Sequence, residues 1–134
     1  MLINHLFKNR IDFFQPSFPN LRMRLDSDNS SLFTNKDMLV RILDNLISNA
    51  CKYNKENGQV DIILRNYILT IKDTGLGIQN PQKIFNRHYI ENDSGIGIGL
   101  HIVKKLCDEL NIKIRVESKI GKGTTFMLNL SKLI

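Results

Sequence analysis

Between residues 37 and 53 the apolar side chains Leu39, Ile42, Leu43, Leu46, Ile47, Ala50 and Tyr53 recur at three- and four-residue intervals without a miss, a spacing that lines one face of a helix. A helix this one-sided needs an apolar layer to cover it, and the segments that follow supply one. V-D-I-I-L-R and Y-I-L-T-I-K alternate with period two on either side of Asn66, as two antiparallel strands sharing a tight turn do. A further helix is predicted over 99–110, with Leu100, Val103, Leu106, Cys107 and Leu110 on one face. I-K-I-R-V-E-S, a G-K-G turn and T-T-F-M-L-N-L then form another alternating pair. Upstream, Leu2, Ile3, Leu6, Phe7, Ile11 and Phe14 predict a helix over 2–14 that stops before Pro16 and Pro19. A short strand over 21–25, a polar loop over 26–31 and a second short strand over 32–34 complete the reading. Three helices against about five strands make an α+β fold, a two-layer sandwich whose mixed, mostly antiparallel sheet is covered by the helices.

With 134 residues the chain is read as a single domain over 1–134, because two cores in this length would each be marginal. A content of 42% hydrophobic and 24% charged residues excludes a disordered or fibrous chain. No apolar run approaches the ~20 residues of a spanning helix, and the first ten residues, broken by Asn4 and His5, do not form a signal peptide. The chain is therefore expected in the cytoplasm. Cys51 and Cys107, the two cysteines, both lie in helical segments and are expected to pack as reduced thiols. A net charge of +6 suits anionic partners. The basic residues are scattered, with no run of five and no interleaved aromatics, so nucleic acid is not expected among them.

Asn45, Asn49 and Lys52 fall within roughly 60° of one another on the flank of the 37–53 helix at about 100° per residue. An amide oxygen is a hard ligand acceptable to magnesium, and a lysine one turn on is placed to meet phosphates; a solvated helix flank would use the same residues. D-T-G-L-G-I, residues 73–78, follows a strand directly. A carboxylate there can accept from an amino group, and its glycines would let a ligand ring approach the backbone, although a plain turn uses the same letters. G-I-G-I-G-L, residues 95–100, leads into a helix whose first N–H groups suit a polyphosphate. It is neither a dinucleotide fingerprint nor a Walker A loop.

Taken in order, N-x-x-x-N-A-x-K-Y, D-x-G-x-G-I, I-F-N-R-H-Y, G-x-G-x-G-L and G-x-G-T-T-F resemble the ATP-binding catalytic domain of two-component sensor histidine kinases, in the superfamily with gyrase-type and heat-shock chaperone ATPases. The resemblance spans about residues 35–130. It implies ATP and magnesium as ligands, with Asn49 on the metal, Lys52 on phosphate and Tyr53 near the nucleoside. Asp73 would accept the adenine amino group, Gly75, Gly77 and Ile78 would line the base, and Thr124 would assist through a water. Arg87 would reach the terminal phosphate, Phe85 would sit beside it in the same box, and Gly95, Gly97, Gly99 and Leu100 would meet the phosphate chain. Tyr53, Ile78 and Phe85 would serve equally as core.

Arg87, Lys52 and Asn45 are the candidates for catalytic work. At the position of Asn45 the ATPases of the superfamily usually carry a glutamate that activates water; an amide takes no proton at neutral pH. Asp44 faces about 100° away on the helix and is a poor substitute. Three departures from the family pattern stand out. The segment between Tyr89 and Gly95 is short, His88 replaces a common aromatic, and no H-E-[LIF]-[RK]-x-P phosphoacceptor sequence is present. The resemblance thus implies a phosphotransferase acting on the dimerisation and phosphoacceptor helices of a parent kinase. That parent would be anchored in the inner cell membrane and would signal to a response regulator, with no direct membrane contact by this domain. A degenerate binding module and a stand-alone ATPase or serine kinase are the rival readings.

Overall fold

The computed structural model describes residues 3–85 and 99–134. Arg87, His88, Tyr89, Gly95 and Gly97 lie outside the described residues. Helix α1 (Ile3–Phe14) leads through a 3-10 turn at Gln15–Ser17 into β1 (Arg22–Ser27). Helix α2 (Lys36–Lys52) follows, then β2 (Gln59–Arg65) and β3 (Ile68–Asp73), a 3-10 turn at Pro81–Lys83, α3 (Leu100–Glu109), β4 (Lys113–Lys119), β5 (Gly123–Asn129) and a last 3-10 turn at Ser131–Leu133. The five strands lie in the order β1-β2-β3-β5-β4. β1 runs parallel to β2, and the remaining pairs are antiparallel. The α+β sandwich expected from the periodicities is the observed fold.

Alternation decides which sheet face is covered. Val60, Ile62 and Leu64 of β2, Leu69 and Ile71 of β3, and Phe126 and Leu128 of β5 are buried, while their neighbours in sequence are more exposed. Against that face lie Leu39, Ile42, Leu43, Leu46, Ile47 and Ala50 of α2, with Ile3, Leu6 and Phe7 of α1 and Leu100, Val103 and Cys107 of α3. Asn35 caps α2 by accepting the Met38 N–H on its side chain at 3.0 Å, which satisfies one of the unpaired donors of a first helical turn. The β2–β3 hairpin turns on Asn66 and Tyr67, both with positive φ (51° and 63°), the two-residue geometry that matches strand twist.

Two sequence expectations need correction. β1 does not end at Leu25: parallel pairing of Asp26 with Ile63 and of Ser27 with Leu64 carries it two residues further, so sheet pairing overrides the polar composition. Residues 32–34 form no strand. Ser31 makes an isolated bridge, the Phe33 N–H donates to the Leu133 carbonyl at 2.7 Å, and Leu32 is buried in the core as part of a loop. No helix among the described residues is long and apolar enough to cross a membrane. Both cysteines are free and buried as expected; burial pushes Cys51 up to about 11 and Cys107 up to about 12, so neither thiol is reactive near neutral pH.

Candidate functional site

Antiparallel pairing of Lys72 with Thr125 sets the last residue of β3, Asp73, beside Thr124 of β5. Two backbone N–H groups converge on the same carboxylate oxygen: Gly75 donates to Asp73 Oδ1 at 2.8 Å and Thr124 donates to it at 3.2 Å. Among the described residues nothing donates to Oδ2. Burial raises the Asp73 carboxyl from 3.8 to about 6, and the two N–H groups oppose that rise. A carboxylate fixed by one oxygen and open at the other is a directed acceptor.

Around it Asn49, Tyr53, Asp73, Gly77, Ile78, Leu100, Thr124 and Phe126 line a cleft whose empty space, open solvent included, is ≈ 320 Å³. Ile78, Leu100 and Phe126 make its walls apolar, as a flat aromatic ligand requires. Four segments far apart in sequence meet here, and backbone hydrogen bonds hold them in place. The Leu76 N–H donates to the Tyr53 carbonyl at 3.0 Å and the Gly121 N–H to the Leu76 carbonyl at 2.9 Å. At the far end of the same loop Asn54 receives the Thr74 hydroxyl at 2.9 Å, while Thr74 Oγ1 accepts the Gln59 N–H at 2.9 Å.

The glycines of residues 73–78 are required by the protein's own packing. A Cβ on Gly75 would lie 2.4 Å from the Tyr53 carbonyl oxygen, and one on Gly77, whose φ is +79°, would lie 2.3 Å from that of Lys119. Close approach is to the protein's own backbone, which the loop must touch to form the cleft.

On α2, Asn49 faces the cleft, and its Nδ2 is buried without a partner. Asn45 lies one turn earlier with Nδ2 donating to the Arg41 carbonyl at 2.9 Å. A Cβ on Gly99 would meet Asn45 Oδ1 at 3.0 Å, so this amide abuts the start of α3. Gly99 (φ 85°) caps α3 with no side-chain hydrogen bond to its first turn, which leaves first-turn N–H groups for other acceptors. Lys52, the last residue of α2, is exposed and does not line the cleft. Among the described residues it has no ion pair. Phe85 stands behind the wall, its ring 6.4 Å from that of Phe126 at 63°. Arg87, Gly95 and Gly97 fall outside the described residues.

Asp44 is committed elsewhere. Arg10 of α1 grips both its oxygens, Nε to Oδ1 at 2.7 Å and Nη2 to Oδ2 at 2.8 Å, so it ties α1 to α2 and is not free to activate water. Sequence reasoning missed Phe126 and Ser118. Only the T-T-F segment could have pointed to Phe126, and Ser118 becomes visible only through the β4–β5 register that pairs it with Thr124.

The fit of a metal can be tested on Asn49. With Nδ2 buried, Oδ1 is the amide's remaining polar atom, a hard oxygen in the cleft. Among the described residues no group of three or more His, Cys, Asp and Glu side chains could hold a metal ion. One amide ligand with phosphates and water completing the shell suits magnesium.

Comparison with known proteins supplies the context. The histidine kinase-, DNA gyrase B- and HSP90-like ATPase family matches residues 34–134. The sensor histidine kinase RppB of Synechocystis sp. is 32% identical over 141 residues, covering 96% of this chain and 31% of RppB. The sensor protein SrrB of Staphylococcus aureus is 38% identical over 108 residues, 72% of this chain and 18% of SrrB. The chain thus spans less than a third of each. Among solved structures, the nucleotide-free catalytic domain of histidine kinase ThkA superposes with a TM-score of 0.82 at 25% identity, over 96% of this chain and 91% of that one.

Proposed function

Because the chain belongs to the histidine kinase-, DNA gyrase B- and HSP90-like ATPase family, we propose that it is the ATP-binding catalytic domain of a two-component sensor histidine kinase. It transfers the γ-phosphoryl group of ATP to a histidine on separate dimerisation helices. The observation that carries this reading is Asp73, half-buried in an apolar cleft with one oxygen tied to Gly75 and Thr124 and the other open. An adenine amino group supplies the donor that the open oxygen lacks.

In this reading the whole of 1–134 is one domain. Tyr53 and Ile78 pack beside the base, with Gly75 and Gly77 holding the loop beneath it and Phe85 supporting the wall through Phe126. Gly95, Gly97, Gly99 and Leu100 present backbone to the phosphate chain. Lys52 and Arg87 neutralise phosphate charge, Arg87 mainly as the transition state forms. Asn49 would hold magnesium, which would offset charge on the phosphate oxygens. An imidazole nitrogen of the acceptor histidine attacks the γ-phosphorus; the P–N bond forms as the bond to the β–γ bridging oxygen breaks, and ADP leaves. The imidazole is its own nucleophile, so the protein's contribution is position and charge.

Asn45 argues against a water-activating ATPase: it is an amide, its Nδ2 is engaged by the Arg41 carbonyl, and neighbouring Asp44 is clamped by Arg10. The response regulator is met through the parent kinase, which is anchored in the cell membrane while this domain works in the cytoplasm. The test is phosphotransfer in trans. With γ-labelled ATP, magnesium and the parent's dimerisation helices, acid-labile, base-stable phosphate should appear on the helices, and Arg87→Ala should suppress it more than it weakens ATP binding. Acid-stable serine phosphate, or rapid hydrolysis by the chain alone, would contradict the reading.

A further inference from the structure

Ser118, on β4, takes no part in the roles assigned above, yet its hydroxyl is shared by three groups around the cleft. Oγ accepts the Ile78 N–H at 2.7 Å, donates to the Gly123 carbonyl at 3.0 Å and lies 2.8 Å from Thr124 Oγ1. A serine hydroxyl carries one proton. An N–H can only donate and a carbonyl can only accept, so all three bonds form together only when that proton goes to Gly123 and the threonine O–H donates to Ser118.

The consequence reaches the ligand. Thr124 is 6% exposed and lines the cleft, and its single proton is spent on Ser118, so its hydroxyl offers the cleft only lone pairs. Asp73 Oδ2 beside it is also an acceptor. We infer that Ser118 is a positioning residue that sets base selectivity, by holding Thr124 as an acceptor so that its lone pair and Asp73 Oδ2 together take the two protons of an amino group at purine C6 and reject a carbonyl there. The inference rests on the adenine-site reading of the cleft and extends it to a residue outside the cleft lining.

Hypoxanthine differs from adenine at this edge by a C6 carbonyl in place of the amino group and a proton on N1, so ITP against ATP is the probe. In the full chain, calorimetry should give weaker binding of ITP than of ATP. Ser118→Ala frees the Thr124 proton to turn into the cleft and donate to that carbonyl, so the ratio of the two dissociation constants should fall by about fivefold, the scale of one net hydrogen bond. Ser118→Thr, which keeps a hydroxyl, should retain the wild-type ratio. In a Thr124→Val background, adding Ser118→Ala should leave the ratio where Thr124→Val puts it. Should Ser118→Ala fail to fold, Ser118→Cys, close in size and a weak hydrogen-bonding group, takes its place with the same expectation. An unchanged ratio in Ser118→Ala, or an equal shift with and without Thr124, overturns the role of Ser118 and leaves the adenine site standing. Equal binding of ATP and ITP by the wild type overturns both.

Discussion

The backbone N–H of Thr124 donates to Asp73 Oδ1 across 3.2 Å, joining residues 51 apart in sequence. One carboxylate oxygen thus helps close the sheet while the other takes no donor from the described residues, and the side chain lines the cleft. The two duties pull in opposite directions. Burial disfavours the charge that a ligand's amino group would use.

Replacing Asp73 with asparagine separates these duties. ATP binding should weaken about 10- to 100-fold, since a hydrogen bond to a charged group is worth ~1.5–3 kcal/mol; titration calorimetry measures it. The nucleotide-free protein should respond in the opposite sense. Asp73 is raised from 3.8 to about 6, so the folded state binds this proton more tightly than the unfolded chain. The resulting stability is complete below pH 4 and is lost as pH rises through about 6. Asp73→Asn escapes that loss, and its melting temperature at pH 8 should exceed the wild type's by about 5 °C, with the gap closing toward pH 4.

Asn49→Ala should abolish most of the magnesium dependence of ATP binding while leaving adenosine affinity within about twofold, because alanine keeps the helix and no described residue bonds the amide it replaces. Parallel titrations of ATP, with and without magnesium, and of adenosine check this. Collapse of adenosine binding would make Asn49 structural.

Gly123→Ala should destabilise the domain by at least ~2 kcal/mol. Its φ is +128°, and a Cβ there would lie 2.0 Å from the Asp73 carbonyl oxygen. Chemical denaturation gives the loss directly.

Helix periodicity and strand alternation made most of the fold legible, because apolar spacing records which face is buried. The 37–53 pattern in particular became α2 with its buried stripe intact. What escaped depended on pairing between distant segments. Asp26 and Ser27 read as loop until β2 lies beside them, and Leu32 read as strand although a buried loop needs an apolar residue equally. The N-x-x-x-N-A-x-K-Y helix and the glycine-rich boxes placed Asn49, Tyr53, Asp73, Gly77, Ile78, Leu100 and Thr124 on the sequence, and the fold gathers them around one cleft. Ser118 was silent because one serine in an alternating strand carries no signal until its register with β5 is known. The reason for Gly75 and Gly77 was likewise hidden: their crowding neighbours, Tyr53 and Lys119, are remote in sequence.

Asp44 offers a control for the chemistry. Arg10→Ala should cost about 1–2 kcal/mol of stability, as expected for loss of a bidentate, partly buried pair. Asp44→Asn should leave any ATP hydrolysis by the chain unchanged, because both carboxylate oxygens are held by Arg10. A drop in hydrolysis without a drop in folded fraction would reveal Asp44 as a base.

The most direct test of the central claim is titration of the chain with a non-hydrolysable ATP analogue and its GTP counterpart, each with and without magnesium. The account predicts saturable binding of the adenine analogue, tightened by magnesium, with the guanine analogue at least about tenfold weaker, because guanine brings a carbonyl where Asp73 needs a donor. Equal affinity for the two bases, or no binding of either by folded protein, would contradict it.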